Sequence, residues 1–448
     1  MHDHDAHDDV ELGELENDAF LPREDTSKPV FKQQSILTRW IPPRIRKLLE
    51  NVSKVWVCAL DFKATDAPKT AQCLQVTCYQ LVFVILIVFV LALSFSAYMN
   101  TNEAMMVTIS PESIALTEEL ARSLNHTLIP EFVLEYAPYV YLHRDDSYYP
   151  SDMAKHLENT YPSINFTAVE GGPHPLTLDN LNELNELGGE NIFLSSTEDV
   201  VTLPKFLHGQ EPDPITYRTD NAKSCVVIVV DKGNGLIDAF YMYWYTFNDG
   251  PSAIGHQVGN HLGDWYDSNY PHSVPPLTQA REHNMVRFQN GTPTAVWYSQ
   301  HEFGFAFTYS TVQKIGKRPV SFSAKGSHAN YAVAGNLDLH NTNGIIPAHI
   351  VYDRTQQGKL WDPTLSAYYY TYSTEKKEFT PAIKDTPVNY LYFEGKWGDD
   401  QFPMDKKGQE EFYGYVKWIG GPQGPWFKHL DRPDVCLPTR ECVVKDRM

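Results

Sequence analysis

One stretch of the chain, residues 79–98 (YQLVFVILIVFVLALSFSAY), constrains the topology more than any other part of the sequence. It contains no charged residue over 20 positions, and a tyrosine stands at each end. A helix rises about 1.5 Å per residue, so this length spans the roughly 30 Å hydrocarbon core of a bilayer, with the tyrosine rings at the interfaces. The segment starts too far from the N-terminus, and is too long, to be a cleaved signal peptide. We therefore predict a single transmembrane helix over residues 79–98.

The distribution of basic residues predicts the orientation of this helix. Residues 21–78 hold ten Lys and Arg against five acidic residues, whereas no Lys or Arg follows the span until Arg122. Loops rich in Lys and Arg stay on the cytosolic side of a membrane. We therefore predict a type II, signal-anchored membrane protein of the endomembrane system or vacuole, with its C-terminal part in the lumen.

Composition divides the chain further. Its first 20 residues carry eight acids and no Lys or Arg, which is typical of a disordered tail. The net charge of −19 argues against nucleic acid as a partner, because phosphate binding requires a basic face. The predicted parts are an acidic cytosolic tail (1–35), a basic juxtamembrane segment (36–78), the transmembrane helix (79–98), a luminal stem (99–129) and a luminal β-rich domain (130–448).

Two chemical signals agree with a luminal C-terminal part. Asn125, Asn165 and Asn290 each begin an Asn-x-Thr sequence and are predicted glycosylation sites, which are modified only on the luminal side. Cys436 and Cys442 close a short loop, and an oxidising lumen would let them pair. A third luminal cysteine, Cys225, lies in an apolar run and is predicted to be a buried free thiol.

The part from residue 130 onward has the composition of a β protein. Runs such as CVVIVV (225–230) and IDAFYMYWYTF (237–247) are rich in Val, Tyr, Phe and Trp, and Gly, Pro, Asn and Asp lie between such runs. Helical patterns are sparse. We predict a mainly β fold, with packed antiparallel sheets of sandwich type. The many aromatic residues are expected to fill the core, and a glycan-binding surface is the alternative.

Polar residues that could carry chemistry concentrate between residues 256 and 340, at predicted strand ends. Imidazole and carboxylate groups suit a divalent metal, which would make the domain a metal-dependent hydrolase. The candidate ligands are His261, Asp264, Glu282, His301 and His328.

Two other interpretations of the same residues remain open. Ser299 or Ser327 could be a nucleophile, with a nearby His as base. Alternatively, the histidines and aspartates form a buried polar network that satisfies backbone groups at sheet corners. No HExxH or GxSxG motif chooses between these interpretations, so the catalytic residues stay unknown.

Several blocks of sequence, in order over residues 130–442, resemble the fungal vacuolar protein sorting-associated protein 62 family. The resemblance implies a role in protein transport to the vacuole, with protein cargo as a partner. It implies no defined chemistry and no catalytic residue. The blocks are Gly259–Trp265, Glu282–Phe288, Thr294–His301, Lys325–Tyr331, Gly395–Asp399 and Gly420–Pro425.

The chain departs from the family pattern at one place. In that pattern Gly-Asp-Trp continues directly into Glu and the Val-Arg-Phe strand, but here Tyr266–Arg281 intervene, sixteen residues with three prolines. Deleting them restores GDW-EHNMVRF. Our hypothesis is that they are an unspliced intron carried into the coding sequence. The alternative is a natural loop insertion, which costs little closure entropy.

Overall fold

The fold is described from a computed structural model of the 448-residue chain. The described residues are 83–84, 86–90, 107–253, 255–265, 283–301, 303–337, 351–412, 415–438 and 441–448. The chain divides into two units, Met1–Ala104 and Met105–Met448. All the elements below belong to the second unit, which begins before residue 130.

Helices are few and short, and strands are many. The α-helices are α1 (Pro111–Ser123), α2 (Glu131–Glu135) and α3 (Met153–Glu158). The strands are β1 (Tyr139–Leu142), β2 (Thr160–Ile164), β3 (Thr167–Ala168), β4 (Phe193–Ser196), β5 (Cys225–Asp231), β6 (Leu236–Tyr243), β7 (Tyr245–Asn248), β8 (Ser252–Ala253), β9 (His256–Gln257), β10 (His261–Asp264), β11 (His283–Gln289), β12 (Thr292–Gln300), β13 (Phe303–Thr308), β14 (Lys314–Ile315), β15 (Arg318–Ser323), β16 (Asn330–Tyr331), β17 (Gly335–Leu337), β18 (Val351–Thr355), β19 (Lys359–Trp361), β20 (Ala367–Ser373), β21 (Glu378–Pro381), β22 (Glu411–Phe412), β23 (Tyr415–Val416) and β24 (Val444–Lys445). Single turns of 3-10 helix connect them at Leu181–Leu187, Gly189–Asn191, Val200–Thr202, Lys205–His208, Pro363–Ser366, Asn389–Tyr392 and Pro425–Phe427.

An eight-stranded sheet forms the centre of the unit, in the order β21-β20-β5-β6-β11-β12-β13-β24. The sequence of strand β5 fits a central position in the unit, since six of its seven residues, CVVIVV, are buried. Val226, Ile228 and Val230 face one hydrophobic core, whereas Cys225, Val227 and Val229 face another. A continuous apolar run is what a strand covered on both faces requires.

Two different layers cover the faces of this sheet. One core brings in Leu181 and Leu184 of a 3-10 helix and the side chain of Trp397. The other core brings in Val140 of β1 and Trp361 of β19, which belong to a second sheet ordered β14-β15-β1-β19. Packed sheets around two cores confirm the prediction of a mainly β fold.

The strand directions are more varied than the predicted antiparallel arrangement. Most pairs are antiparallel, but β20 pairs parallel with β5, β1 with β15, and β24 with β13. Each parallel pair joins segments that lie far apart in sequence, as a parallel connection requires. The sheets are therefore mixed rather than purely antiparallel.

Strands β10 and β11 lie on either side of residues 266–281, yet they continue one another in the ladder. Asp264 of β10 is opposite Tyr245, and His283 of β11 is opposite Met242. Met242 comes three residues before Tyr245. Because the pairing is antiparallel, the residue opposite Met242 should come three residues after Asp264, and His283 occupies that position. In sequence it is the nineteenth residue after Asp264, and the difference is sixteen residues. Residues 266–281 themselves lie outside the described residues.

The transmembrane prediction falls mostly outside the described residues. Within 79–98, residues 83–84 and 86–90 are described, and they are helical and exposed. Among all residues that the structure describes, no helix combines the length and apolar character that a membrane crossing needs. The predicted tail (1–35) and juxtamembrane segment (36–78) lie wholly outside the described part.

The predicted modification sites lie at accessible places. Asn125, Asn165 and Asn290 are all exposed, and the last two are in turns with positive φ between paired strands. The sulfur atoms of Cys436 and Cys442 form a disulfide, with Cα atoms 5.3 Å apart. Cys225 is a free thiol, fully buried in the central sheet, as its apolar surroundings indicated.

Candidate functional site

The buried carboxylate of Asp264 is the centre of a polar cluster. Its Oδ2 accepts a hydrogen bond from His328 Nδ1 at 2.8 Å and one from Asn248 Nδ2 at 3.1 Å. Its Oδ1 lies 3.9 Å from Nε2 of His261, whose Nδ1 donates to the Gly259 carbonyl at 2.9 Å. Asp264 is 0% exposed and both histidines are nearly so. Three of the predicted site residues therefore meet in one place.

A second carboxylate completes the surroundings of the His328 ring. Nε2 of His328 lies 3.7 Å from Oδ2 of Asp146. Asp146 is fixed by backbone donors, because Gly326 N donates to its Oδ2 at 2.8 Å and Tyr148 N to its Oδ1 at 3.0 Å. The ring of Tyr245 stacks on the imidazole, with centroids 3.8 Å apart and planes 5° apart. His328 thus lies between two carboxylates and against an aromatic face.

Asp353 on β18 organises an adjoining cluster. Its Oδ2 accepts hydrogen bonds from His301 Nε2 and from Tyr331 Oη, both at 2.6 Å, and its Oδ1 accepts one from Ser327 Oγ at 2.7 Å. Since Ser327 precedes His328, the two clusters are joined through one peptide bond. Together they form what we call the Asp–His network, whose residues are Asp146, Asn248, His261, Asp264, His301, Ser327, His328, Tyr331 and Asp353.

Two histidines of the network have left-handed backbones. His301 has φ of 46° and His328 has φ of 55°. For residues other than Gly this region is costly, by about 1–3 kcal/mol, and is found where the surrounding contacts fix it. In both residues the side chain is buried and bound to an aspartate, so the network supplies those contacts.

The electrostatics favour a charged pair at the centre. Burial alone would raise the pKa of Asp264, but the neighbouring imidazoles of His261 and His328 lower it below its ordinary value. Burial would likewise lower the pKa of His328, but its hydrogen bond to Asp264 and the charge of Asp146 raise it. Both shifts favour a pair of imidazolium and carboxylate, and this pair links β10 to the turn after β15.

The metal prediction is not supported by the side chains that the structure describes. Among them, no group of three His, Cys, Asp or Glu is arranged to hold a metal ion. Oδ2 of Asp264 is occupied by hydrogen bonds from His328 and Asn248, whereas its Oδ1 is buried and has no hydrogen-bond partner among the described residues. His301 is bound to Asp353 instead of Asp264. Glu282 lies outside the described residues.

The described residues do not support the prediction of a serine nucleophile either. Ser327 donates to Asp353 rather than to a histidine, and Ser299 Oγ is buried without a hydrogen-bond partner among the described residues. In the described part neither serine is joined to a histidine base. The arrangement matches the third interpretation, a buried polar network at sheet corners.

Several members of this region were not singled out in the sequence. Asp146 and Asp353 are buried partners of the histidines, and Asp249 accepts from Asn260 Nδ2 at 2.7 Å. Burial and the charge of Asp146 raise the pKa of Asp249 to about 6. The sequence Asn248-Asp249-Gly250 at the end of an aromatic strand is a turn signal that could have identified one of them.

A separate cavity of about 220 Å³ lies beside α3. His156 lines it, fully buried, with Nε2 bound to the Trp397 carbonyl at 3.0 Å. Burial lowers the pKa of His156 to about 3, so the ring is neutral. Lys155 and Lys205 stand at the exposed side of the cavity.

Comparison with known proteins decides the family. The TDA6 protein of Saccharomyces cerevisiae, named a candidate vacuolar protein sorting-associated protein, is 34% identical over 69% of this chain and 68% of its own length. Vacuolar protein sorting-associated protein 62 of the same yeast is 30% identical, with the same shares covered. This chain belongs to the vacuolar protein sorting-associated protein 62 family. That confirms the resemblance seen in the sequence blocks.

Two other comparisons, with protein-family models and with solved structures, found no match. Three of the sequence blocks that resemble the family contribute residues to the Asp–His network, and Thr294–His301 supplies His301. Of these, Gly259–Trp265 supplies His261 and Asp264, and Lys325–Tyr331 supplies Ser327, His328 and Tyr331.

Proposed function

We propose that this protein acts in vacuolar protein sorting as a single-pass type II glycoprotein, with its β-rich domain in the lumen of the endomembrane system. The observation that carries the proposal is the family membership, since both yeast relatives bear vacuolar sorting names. Protein cargo is the partner this role requires. The Asp–His network then has a structural task, which is to hold the turns of the domain in place.

Three features support a luminal domain. The charge-free stretch 79–98 follows a basic segment, as the type II orientation requires. All three Asn-x-Thr acceptors, one in the predicted stem and two in the domain, are exposed. The Cys436–Cys442 disulfide suits an oxidising compartment.

The sorting role is testable by complementation. In S. cerevisiae lacking both relatives, expression of this chain is expected to return a vacuolar hydrolase from the culture medium to the cell. Immunoblots of medium and cells measure this. A version without residues 79–98 should fail if anchoring is required. Normal hydrolase delivery in cells that lack both relatives would refute the sorting role.

The topology has its own test. Endoglycosidase treatment of the expressed protein should increase its mobility on gels. Replacing Asn125, Asn165 or Asn290 by Gln should in each case remove one glycan and so part of this mobility shift, because the three sites are exposed and predicted to be luminal. Asn51, whose Asn-Val-Ser sequence precedes the span, serves as the control and should remain unmodified. Modification of Asn51 in place of the other three would reverse the predicted orientation.

A further inference from the structure

A small cavity of about 40 Å³ lies on the outer side of strand β18. Its wall combines three neutral hydrogen-bonding side chains with two basic ones. The lining residues are Ser252, Gln257, Lys325, Tyr352 and Arg354.

The charge of this wall contrasts with the charge of the chain. The protein carries a net charge of −19, yet none of the described residues lining the cavity is acidic. Among the described residues, neither Lys325 nor Arg354 forms an ion pair with a carboxylate. The guanidinium of Arg354 donates to the Tyr352 hydroxyl and lies 5.0 Å from the centre of that ring. One such bond leaves most of its five N–H donors unused.

The pKa of the Tyr352 hydroxyl shows the effect of the same guanidinium. The hydrogen bond from Arg354 is the largest influence on its pKa, and it outweighs burial, so the pKa of Tyr352 is lowered. Hydroxyls in the core, such as that of Tyr298, show the opposite direction because burial dominates there. The guanidinium of Arg354 therefore favours negative charge on the hydroxyl next to it.

Backbone pairing makes the cavity wall rigid. Tyr352 is opposite Ser252 across β18 and β8, and Ser252 is opposite Gln257 across β8 and β9. Lys325 N donates to the Arg354 carbonyl at 2.8 Å. All five lining residues are therefore connected through main-chain hydrogen bonds, which limits the reorganisation needed to bind a ligand.

The Asp–His network lies on the opposite face of the same strand. Side chains alternate along a strand, so Tyr352 and Arg354 face the cavity while Asp353 faces the network. Asp353 is held by His301, Ser327 and Tyr331. The network thereby fixes the strand that carries the two outward-facing side chains.

We propose that this cavity binds a small tetrahedral oxyanion of the phosphate-monoester class, with Lys325 and Arg354 as its counter-charges. A water needs about 10–15 Å³ of such space, so the cavity has room for about three waters, comparable to the oxygens of a phosphoryl group. Guanidinium and ammonium groups are the usual partners of such oxygens. The proposal goes beyond the sorting role and holds whether or not that role is correct.

Sulfate is the first probe, because it is tetrahedral and stays a dianion across the relevant pH range. Isothermal titration of the full-length protein in detergent should show saturable sulfate binding that matched chloride does not reproduce. Lys325→Gln and Arg354→Gln should each weaken it by about tenfold, the effect of losing one charge-assisted hydrogen bond. Arg354 is exposed, so its replacement alone decides the matter if the Lys325 variant does not fold.

Lys317→Gln is the matched control. It removes the same charge near the other end of β15, roughly 20 Å away at about 3.3 Å per residue, and should leave sulfate affinity unchanged. Equal sulfate affinity in the unaltered protein and in the Arg354 variant would overturn the proposal, and so would the absence of sulfate binding.

Three phosphate compounds distinguish the source of the ligand. Inorganic phosphate, glucose 6-phosphate and glycerol 3-phosphate share the phosphoryl group but represent the free ion, a glycan phosphate and a lipid headgroup. The compound that binds most tightly in the unaltered protein, and loses that affinity in the Arg354 variant, identifies the class. Failure of all three to compete with sulfate would contradict a phosphate-monoester site.

Discussion

His328 combines a left-handed backbone, complete burial and a carboxylate near each ring nitrogen. The strained conformation and the buried charge are each unfavourable alone. They persist because Asp264, Asp146 and the Tyr245 ring together compensate for them. The residue is therefore a place where stability depends on several partners at once.

Replacing His328 by Gln should lower the free energy of unfolding by about 3 kcal/mol, because it leaves the Asp264 carboxylate buried without its charged partner. Urea denaturation followed by tryptophan fluorescence measures the loss. His126→Gln, at an exposed position, should change stability by less than about 0.5 kcal/mol. A loss below about 1 kcal/mol in the His328 variant would show that the pair contributes little.

Asp249 gives a prediction about pH. Its folded-state pKa of about 6 lies above the ordinary value of 3.8, so the folded protein binds this proton more tightly than the unfolded chain. Its contribution to stability is therefore present at low pH and is lost as pH rises through about 6. Besides Asp146, the groups acting on it are Gln257, His328 and Lys325.

Asp249→Asn should consequently raise the free energy of unfolding by at most about 3 kcal/mol at pH 7.5, and by only about half as much at pH 5, which lies between the two pKa values. Thermal unfolding at the two pH values checks this. A gain of the same size at both values would mean that charge at Asp249 is not the cause. His156 has the opposite effect, since its pKa of about 3 makes the fold lose stability in acid.

At the residue scale, the sequence indicated residues that the structure brings together, but it left their chemistry open. His261, Asp264 and His328 were identified because polar residues cluster at predicted strand ends. Their partner Asp146 lies 180 residues from Gly326, which it binds, and no local pattern records such a distance. The same residue types suit a metal or a salt-bridged network, and only the side-chain geometry separates the two.

Among the elements, β10 and β11 are the most informative. The ladder to β6 and β7 has room for two residues between Asp264 and His283, whereas the chain has eighteen. Insertions normally enter at turns, where no pairing is interrupted. Here β10 and β11 keep the register of one continuous strand, which is expected if that strand was complete before the sixteen residues were added. The register thus supports the view that residues 266–281 are extraneous to the fold.

A chain lacking residues 266–281 should fold and unfold at an equal or higher temperature, because β10 and β11 become one strand. Removing 266–280 instead is the matched control. It leaves one extra residue, which reverses the side-chain alternation or forces a bulge, and should lower the midpoint. Loss of folding in the sixteen-residue deletion would contradict the register argument.

Transcript sequencing tests the origin of the same segment. The unspliced-intron hypothesis expects the main mRNA to lack these codons. A main transcript that contains them would make the segment a natural insertion, while the expected stability of the deletion variant would stand.

Strand identity was more predictable than strand pairing. The runs that became β5, β6 and β7 are recognisable from aromatic and β-branched residues. The parallel pairing of β20 with β5 was not, because Ala367 lies opposite Cys225 through contacts that no local pattern encodes. Mixed direction is the feature that separates this fold from the predicted antiparallel sandwich.

For the whole molecule, the two-core architecture explains why so much of the chain is aromatic. A central sheet covered on both faces needs large apolar side chains in both directions, and Phe240, Tyr241 and Tyr243 of β6 provide them. Aromatic density therefore reflects burial at these positions.

The parallel strand pairs also determine when the domain can fold. Tyr139 in β1 pairs with Val320, 181 residues later, and Ala306 of the edge strand β13 pairs with Val444 of β24, 138 residues later. A growing chain thus cannot pair β1 with β15, or cover β13, until those later strands have been synthesised. Until then the nascent domain has unpaired strand edges, which are open to chaperones and to aggregation alike. Substitutions in β24 would therefore act on assembly of the domain before they act on any binding surface.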